Sequence, residues 1–195
     1  MTATAANSAI DICSRALILI GADPITSFTD DTTEALVASN LYEDVARSQL
    51  CRMRWRFATE QAELAALADA PTGRFDISHQ LPSNLLMVNA ITIEDQPIDY
   101  TVYGDMVYSN SSSNDTLVCD YIYRADEAEW PSYFIIAIEH HLASIFATSI
   151  ARDGALAGLL EQKADILMRK AKSIDSQQQT TRRLATSRFI TERRS

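Results

Sequence analysis

Residues 51–57, CRMRWRF, alternate apolar side chains with arginines, and the fold depends on which secondary structure they adopt. In a strand, the four apolar side chains would share one face and the three arginines the other. In a helix, Arg52 and Arg56 would share a face and Arg54 would lie elsewhere. The next residues, ATEQAELAALAD, are rich in alanine and favour a helix, so composition leaves both open. A third interpretation is a nucleic-acid strand, with arginines for phosphates and aromatic rings for bases.

The chain is long enough for one domain, and its charge is unevenly distributed. It has 195 residues, of which 47% are hydrophobic, enough to bury a core. The net charge is −9, yet residues 180–195 carry five arginines against one glutamate. That local charge of +4 leaves −13 for the preceding residues. A general affinity of this acidic body for nucleic acid or anionic membranes is therefore not expected.

The cysteines and the apolar runs indicate the kind of cellular compartment in which the protein folds. Cys13, Cys51 and Cys119 are odd in number and form no C-x-x-C pair, which favours neither a disulfide framework nor a zinc site. Residues 1–10 lack the positive charge of a secretory signal, and the longest apolar run, residues 16–20, is too short to cross a bilayer. These features predict a soluble protein with reduced cysteines.

Apolar residues recurring every three or four positions predict four helices. The helices span about residues 5–20, 32–54, 131–152 and 155–176. Gly21 suits the C-terminal cap of the first helix, and Asp31 followed by Glu34 suits the start of the second. Pro131 suits the first turn of the third, and Gly154 is predicted to separate the last two.

Between the second and third helices, about residues 55–125, the sequence predicts β-structure. Apolar and β-branched residues fill positions 85–93 and 116–123. Gly104 and Asp105 lie between two shorter apolar segments, which is the pattern of a two-residue hairpin turn. The expected element is a small antiparallel sheet.

Together these elements predict an α+β fold: mainly a helical bundle, with a small antiparallel β-sheet inserted between the helices. Residues 1–176 form a single domain in this prediction. Residues 177–195 are polar, basic and aperiodic, which predicts an extended C-terminal arm.

The sequence contains no recognisable catalytic or metal-binding motif. His140 and His141 are adjacent, and neighbouring helix positions point about 100° apart, so the two cannot chelate one metal. His79 is remote from both. Glycine-rich phosphate loops and nucleophile motifs are absent from the 195 residues. We therefore expect no enzymatic activity, no metal and no cofactor.

The basic arm has three interpretations. Its candidate docking residues are Arg182, Arg183, Leu184, Arg188, Phe189, Ile190, Arg193 and Arg194. It could anchor DNA or RNA, dock on a protein through the apolar residues between the arginines, or serve as a disordered solubilising tail. The first interpretation, with help from residues 52–56, would make the chain a nucleic-acid-binding regulatory protein, and it is kept as the alternative function.

Several segments, taken in order, carry a resemblance to a known family. They are NSAIDICSRALILIGADPITSF, TTEALVASNLYEDVARSQL, RWRFATEQAELA, HQLPSNLL, DYTVYGDMVYSN and CDYIYRADEAEWPSYFIIAI. Each is weak alone, but their ordered combination resembles the head-to-tail adaptors of bacteriophages, a family that includes the tail tubular protein A of short-tailed phages. The resemblance covers nearly the whole chain. Relatives commonly have a proline before the tryptophan, where this chain has Arg54, so the position of the helix break can differ.

The resemblance implies roles for the residues around the opening stretch. In that family, the pattern W-x-F-A, here residues 55–58, resembles the point at which a long helix ends and a strand begins. The resemblance therefore favours a structural role for residues 51–57 over nucleic-acid binding. The implied core anchors are Trp55, Phe57 and Trp130. The possible subunit-interface residues are Arg52, Arg54 and Arg56, turned towards solvent or a neighbouring copy.

The resemblance also implies a function. Similar proteins are structural virion proteins that form a ring, usually of twelve copies, between portal and tail, and that line the DNA channel. The implied partners are further copies of the chain, the portal protein and the tail nozzle or tail-tube protein. Genomic DNA would pass without specific binding, and no membrane is involved. Such a protein is made in the bacterial host cytoplasm and resides in the neck or tail of the virion.

Overall fold

The computed structural model describes residues 8–67, 71, 73–112 and 114–178, and shows the predicted α+β fold. The helices in this part of the chain are α1 (Ala9–Leu19), α2 (Thr33–Cys51), α3 (Ser132–Ser149) and α4 (Gly154–Ser176). The strands there are β1 (Thr59–Leu64), β2 (Ile77–Gln80), β3 (Leu85–Ile93), β4 (Gln96–Pro97), β5 (Tyr100–Tyr103), β6 (Met106–Ser109) and β7 (Leu117–Tyr123). Short 3₁₀ turns occupy Arg56–Ala58 and Glu127–Glu129.

Helix α1 ends where the glycine signal predicted a cap. Gly21 has a φ of +77°, a left-handed conformation that costs glycine little. Its N–H donates to the Ile18 carbonyl at 3.0 Å, and the Ala22 N–H donates to the Leu17 carbonyl at 3.1 Å. This pair of bonds satisfies carbonyls that the end of a helix would otherwise leave without partners.

The start of α2 and the α3–α4 corner differ from the predicted caps. Thr32, and not Asp31, is the N-cap of α2: its hydroxyl accepts the backbone N–H of Ala35, in the first turn, at 3.2 Å. Helix α3 ends at Ser149, three residues early, and the turn contains Arg152 with a φ of +53°. Gly154 begins α4 instead of separating the helices, because the Asp153 carboxylate accepts the next N–H groups and caps it.

Helix α2 also ends early, at Cys51 where the sequence predicted a helix to residue 54. The indole Nε1 of Trp55 donates to the Gln49 carbonyl at 3.0 Å. In a continuing helix that carbonyl would accept the N–H of Met53. The tryptophan therefore folds back over the last turn of α2, and the chain passes into the 3₁₀ turn and then into β1.

The β-region forms two antiparallel sheets where the sequence predicted one. The first has the order β1-β7-β3-β4, and the second the order β2-β6-β5. Strand β4 ends at Pro97, which has no N–H for the ladder, and β5 then pairs with β6 across the Gly104 turn. The two sheets meet where Ala66, just beyond β1, forms a bridge with His79 of β2.

Strand β1 forms despite its alanine- and glutamate-rich sequence. All six of its residues, TEQAEL, pair with β7, from Thr59 opposite Ile122 to Leu64 opposite Leu117. Pairing with a neighbouring strand outweighs the weak local preference for a helix. Glu60 and Glu63 are exposed on this edge strand, and such charges discourage pairing with other chains.

The core of the molecule centres on α3. It packs against both α1 and α4, which have little contact with each other, and its apolar residues are buried on nearly every side. A second, smaller cluster lies in the sheets and includes Leu64, Ile91 and Leu117. Within the described ranges, the helices are too short or too polar to cross a membrane.

Candidate functional site

The predicted core anchors meet around one residue of α3. The ring centroid of Phe134 lies 4.9 Å from that of Trp55, 5.0 Å from that of Phe57 and 5.0 Å from that of Trp130. The Trp55 and Trp130 contacts are edge-on, an arrangement that aromatic rings favour. This aromatic junction joins the end of α2, the start of β1 and the start of α3. The sequence placed Phe134 in a helical stripe but did not show that it is the centre.

Both tryptophans are buried and have partners for their indole N–H groups. Trp55 is fully buried, and Phe57 beside it is half-buried. Trp130 donates from Nε1 to the Ala125 carbonyl at 3.0 Å, as Trp55 does to Gln49. A buried tryptophan with its donor satisfied contributes its apolar area without an unpaired polar group.

A buried carboxylate fixes the last turn of α4 to this junction. Asp175, in the last turn of α4, is only 3% exposed. It accepts the backbone N–H of Arg56 at 2.9 Å and the hydroxyl of Tyr133 at 2.8 Å. Burial and this hydrogen bond raise the pKa of Tyr133, so the tyrosine stays a donor. The last turn of α4 therefore lies beside the Trp55 turn.

No sequence motif singled out Asp175, although one signal was present. A carboxylate in the last turn of a helix faces the negative end of the helix dipole, which is unfavourable unless other donors compensate. An aspartate at that position, shortly before the predicted arm, could therefore have indicated a specific partner.

The three arginines of the opening stretch do not form one basic surface. Arg52 pairs with Asp165 of α4 at 2.8 Å, between partly exposed side chains. Arg54 is exposed, and Arg56 is exposed while its backbone N–H is bound to Asp175. Trp55 between them is inaccessible, so it cannot stack on a base. The contacts give no support to a nucleic-acid platform at residues 52–56.

A charged network ties α2 to the chain entering α3. Arg124 donates to Glu43 at 2.9 Å and to Glu127 at 2.6 Å, and its guanidinium lies 5.4 Å from the Trp130 ring centroid. Hydrogen bonds from Arg124 lower the pKa of Glu43. Burial alone would raise the pKa of Glu127. Hydrogen bonds from Arg124 and Tyr42 outweigh the effect of burial, and the pKa of Glu127 is lowered. The sequence did not predict this network.

An aromatic cluster lies on the second sheet. The rings of Phe75, Tyr103 and Tyr108 contact one another with centroid distances of 5.6–6.5 Å, and Arg74 lies 5.2 Å from the Phe75 centroid. Tyr103 is largely exposed at the end of β5. The segment DYTVYGDMVYSN contains Tyr103 and Tyr108, but their contact with Phe75 could not be predicted from it.

The histidines occupy separate, mostly buried positions. His79 is buried in β2, and burial lowers its pKa. His140 donates from Nδ1 to the Ile136 carbonyl at 2.8 Å, while burial lowers the pKa of its neighbour His141. In the described part of the chain, His, Cys, Asp and Glu side chains form no group of three or more that could hold a metal ion.

The predicted docking residues of the arm, 182–194, lie outside the described residues. The structure describes the chain up to residue 178, two residues beyond the end of α4.

Comparison with known proteins identifies the family. The sequence matches the tail tubular protein family over residues 8–184. The chain belongs to that family. It is a structural protein of a bacteriophage tail, a virion component of an assembly built from repeated copies. No curated protein matches the sequence significantly.

Proposed function

We infer that this chain is the head-to-tail adaptor of its phage, a ring of twelve copies between the portal and the tail. The role is structural and not enzymatic. The observation that carries the proposal is the match to the tail tubular protein family over nearly the whole chain. The matched range extends to Leu184 and so includes Arg182 and Arg183 of the predicted arm.

The charge of the body supports a channel-lining role. Residues before 180 carry a net charge of −13. A wall of the same sign as DNA offers no phosphate anchoring, so a passing duplex would slide without being held. The partly exposed Arg52 pairs within the chain, which removes one phosphate-binding group from the surface.

The arm supports docking on the portal. It carries five arginines, and its apolar residues Leu184, Phe189 and Ile190 can supply buried contact area. Exposed ion pairs contribute only about 0–1 kcal/mol each, so the apolar residues would provide most of the affinity. The arginines would pair with portal carboxylates and set the approach and the register. The opposite side of the ring would receive the tail nozzle or tail-tube protein.

Truncation tests the arm. A chain ending at Gln178 keeps the hydrogen bonds of Gln177 and Gln178 to the last turn of α4, so its body should melt as the full chain does. We expect it not to attach to portal-bearing capsids. A second chain ending at residue 184 separates the part within the family match from Phe189 and Ile190. Undiminished occupancy by the shorter chain would place the docking surface on the body.

Two substituted arms separate affinity from steering. Replacing Leu184, Phe189 and Ile190 with serine should abolish attachment. Replacing the five arginines with glutamine should leave attachment measurable but slower, and its rate should lose most of its salt dependence. Electron microscopy of the virion should show the chain as a closed ring in the neck. Density for isolated copies on the capsid or tail surface would contradict the proposal.

A further inference from the structure

One face of α4 is exposed and alternates apolar with basic residues. Leu159, Lys163, Ile166, Lys170 and Ile174 follow one another at intervals of four, three, four and four residues. At about 100° per residue these positions form a single stripe, separate from the buried face that contains Leu160 and Met168. We call these five residues the α4 stripe.

The α4 stripe is unusual for a free surface. Leu159 is 67% exposed, and Ile166 and Ile174 are both close to half exposed. The stripe runs for about 22 Å along the helix, at 1.5 Å per residue. Within the described residues, neither Lys163 nor Lys170 forms an ion pair. Three apolar side chains and two uncompensated lysines on one face are suited to an acidic protein partner with apolar groups of its own.

One segment of the same chain, from the end of α1 to the start of α2, offers exposed groups of that kind. Residues 16–46 contain six carboxylates and no basic residue. Ile18, at the end of α1, is 59% exposed, and Leu36, in the first turn of α2, is 63% exposed. Asp23 and Asp31, between them in the chain, are exposed. We call these four residues the α1–α2 corner.

We propose that the α4 stripe of one copy binds the α1–α2 corner of the next copy. The proposal rests on the proposed ring and names the surfaces that would join its subunits. Charge decides the occupant, because the chain's own arm carries +4 and would be repelled by the lysines. DNA would not cover the leucine and isoleucines, whereas the corner offers both carboxylates and apolar side chains.

The positions of the two surfaces fit repeated contact. Helices α1 and α4 both pack on α3 and have little contact with each other, so stripe and corner belong to different patches. When two copies bind through these two different patches, the pair still has one free stripe and one free corner. Such a contact therefore continues from copy to copy and closes into a ring when the rotation permits.

Charge exchange tests this pairing in the full-length chain. One variant carries Lys163→Glu and Lys170→Glu, a second carries Asp23→Lys and Asp31→Lys, and a third carries all four substitutions. Self-association is measured by sedimentation at high protein concentration, and occupancy of the neck is measured on portal-bearing capsids. Each two-residue variant should associate with itself roughly tenfold or more weakly, because like charges then face each other.

Restoration is the decisive result. The four-residue variant should associate as the original chain does, and so should an equal mixture of the two weakened variants, since opposite charges again meet. Lys172→Glu is the matched control, because it lies on α4 but away from the stripe and should change nothing. Unchanged melting midpoints confirm that the substituted chains fold.

The failures of the two proposals are distinguishable. If the original chain associates or fills the neck and the stripe variant does so equally well, the stripe is not the subunit interface, while the adaptor function stands. If the stripe variant fails and the four-residue variant is not restored, the stripe binds another protein and the copy–copy pairing is wrong. If the original chain is absent from the neck but the free protein shows loss and restoration, the adaptor function fails and the pairing stands. If the original chain associates neither in solution nor on portal-bearing capsids, the pairing is wrong.

Discussion

The helical core and the sheet core of this chain differ in size and in kind. Around α3, the rings of Trp55, Phe57, Trp130 and Phe134 pack together with helical side chains from α1, α2 and α4. The sheet core is a much smaller cluster, and polar residues such as His79 are buried near it. The helical region can therefore act as the rigid part to which the sheets are attached.

This difference predicts where the stability of the protein resides. Burial of large aromatic side chains contributes more free energy than burial of a few aliphatic ones in a thin sheet region. Elements with few buried apolar contacts also open locally at lower free energy than the core. We therefore expect changes at the aromatic junction to destabilise the whole protein and changes in the sheets to act locally.

The largest effect is expected from Trp55→Ala. The ring is fully buried beside Phe134, so the truncation leaves a cavity and should lower the free energy of unfolding by about 3–5 kcal/mol. Urea denaturation measures the change. Arg54→Ala, at the exposed neighbouring position, should have almost no effect. An unchanged unfolding midpoint in Trp55→Ala would show that the aromatic junction does not hold the fold together.

A smaller loss is expected from Asp175→Ala in the last turn of α4. The substitution leaves the Arg56 N–H and the Tyr133 hydroxyl without their charged acceptor. Hydrogen bonds to charged groups contribute about 1.5–3 kcal/mol, and the free energy of unfolding should fall by about that amount. Asp165→Ala on the same helix is the control, since its pair with Arg52 is half exposed and contributes about 0–1 kcal/mol. Equal effects of the two substitutions would mean that Asp175 does not anchor α4.

The comparison of the two cores is sharpened by one matched pair of substitutions. Ile138→Val in α3 and Ile91→Val in β3 each remove one methylene group from a fully buried side chain, at a cost of about 0.5–1.5 kcal/mol. Hydrogen exchange should show reduced protection throughout the protein for Ile138→Val, and mainly in the sheets for Ile91→Val. Uniform loss of protection in both variants would show that the two cores unfold as a single unit.

Local signals in the sequence predicted those features that depend on residues close together in the chain. Gly21 predicted the end of α1, and the Gly104 turn, with a φ of +63°, predicted the β5–β6 hairpin. The early end of α2 was not predicted, because the Trp55 indole N–H takes the Gln49 carbonyl that a continuing helix would use, and no capping residue marks this break. The bond of Asp175 to the Arg56 N–H, across 119 positions, was equally invisible to local patterns. The helical preference of residues 59–64 was likewise overridden by pairing with β7.

The candidate site was predictable only in part, for the same reason. The resemblance implied Trp55, Phe57 and Trp130 as anchors, and each packs against Phe134, which no local pattern singled out. The arginine pattern of residues 51–57 suggested one basic surface, but Arg52 has a partner on α4 and Arg56 contributes its backbone to Asp175. These partners lie on α4 and are determined by how that helix packs. The spacing of residues near Trp55 carries no information about that packing.

The smallest effect we predict is a dependence of sheet stability on pH. Burial lowers the pKa of His79 from its ordinary value of 6.5, so the folded state resists protonation at this position. As pH falls below 6.5 the unfolded chain binds the proton first, and the free energy of unfolding should decrease. Burial also lowers the pKa of His141, in α3. Its protonation in the unfolded chain therefore decreases the free energy of unfolding in the same pH range. The carboxylates Glu43 and Glu127 change the free energy of unfolding only when the pH falls below their ordinary pKa of 4.5. Their pKa values are lowered in the folded protein, so both groups are ionised above that pH.

Two histidine variants separate these contributions. Urea denaturation at pH 7 and pH 5.5 gives the change in the free energy of unfolding for the original chain, for His79→Asn and for His141→Asn. The difference between the two pH values, and not the stability at either, is the quantity compared, because each substitution also changes packing. His79→Asn should reduce this difference, and hydrogen exchange corrected for the intrinsic rate should show the recovered protection in β2 and β6, the strands paired at position 79. An unchanged difference in His79→Asn together with a reduced one in His141→Asn would place the pH-sensitive region in the helices, and the helical core would then be the less robust of the two under mild acid.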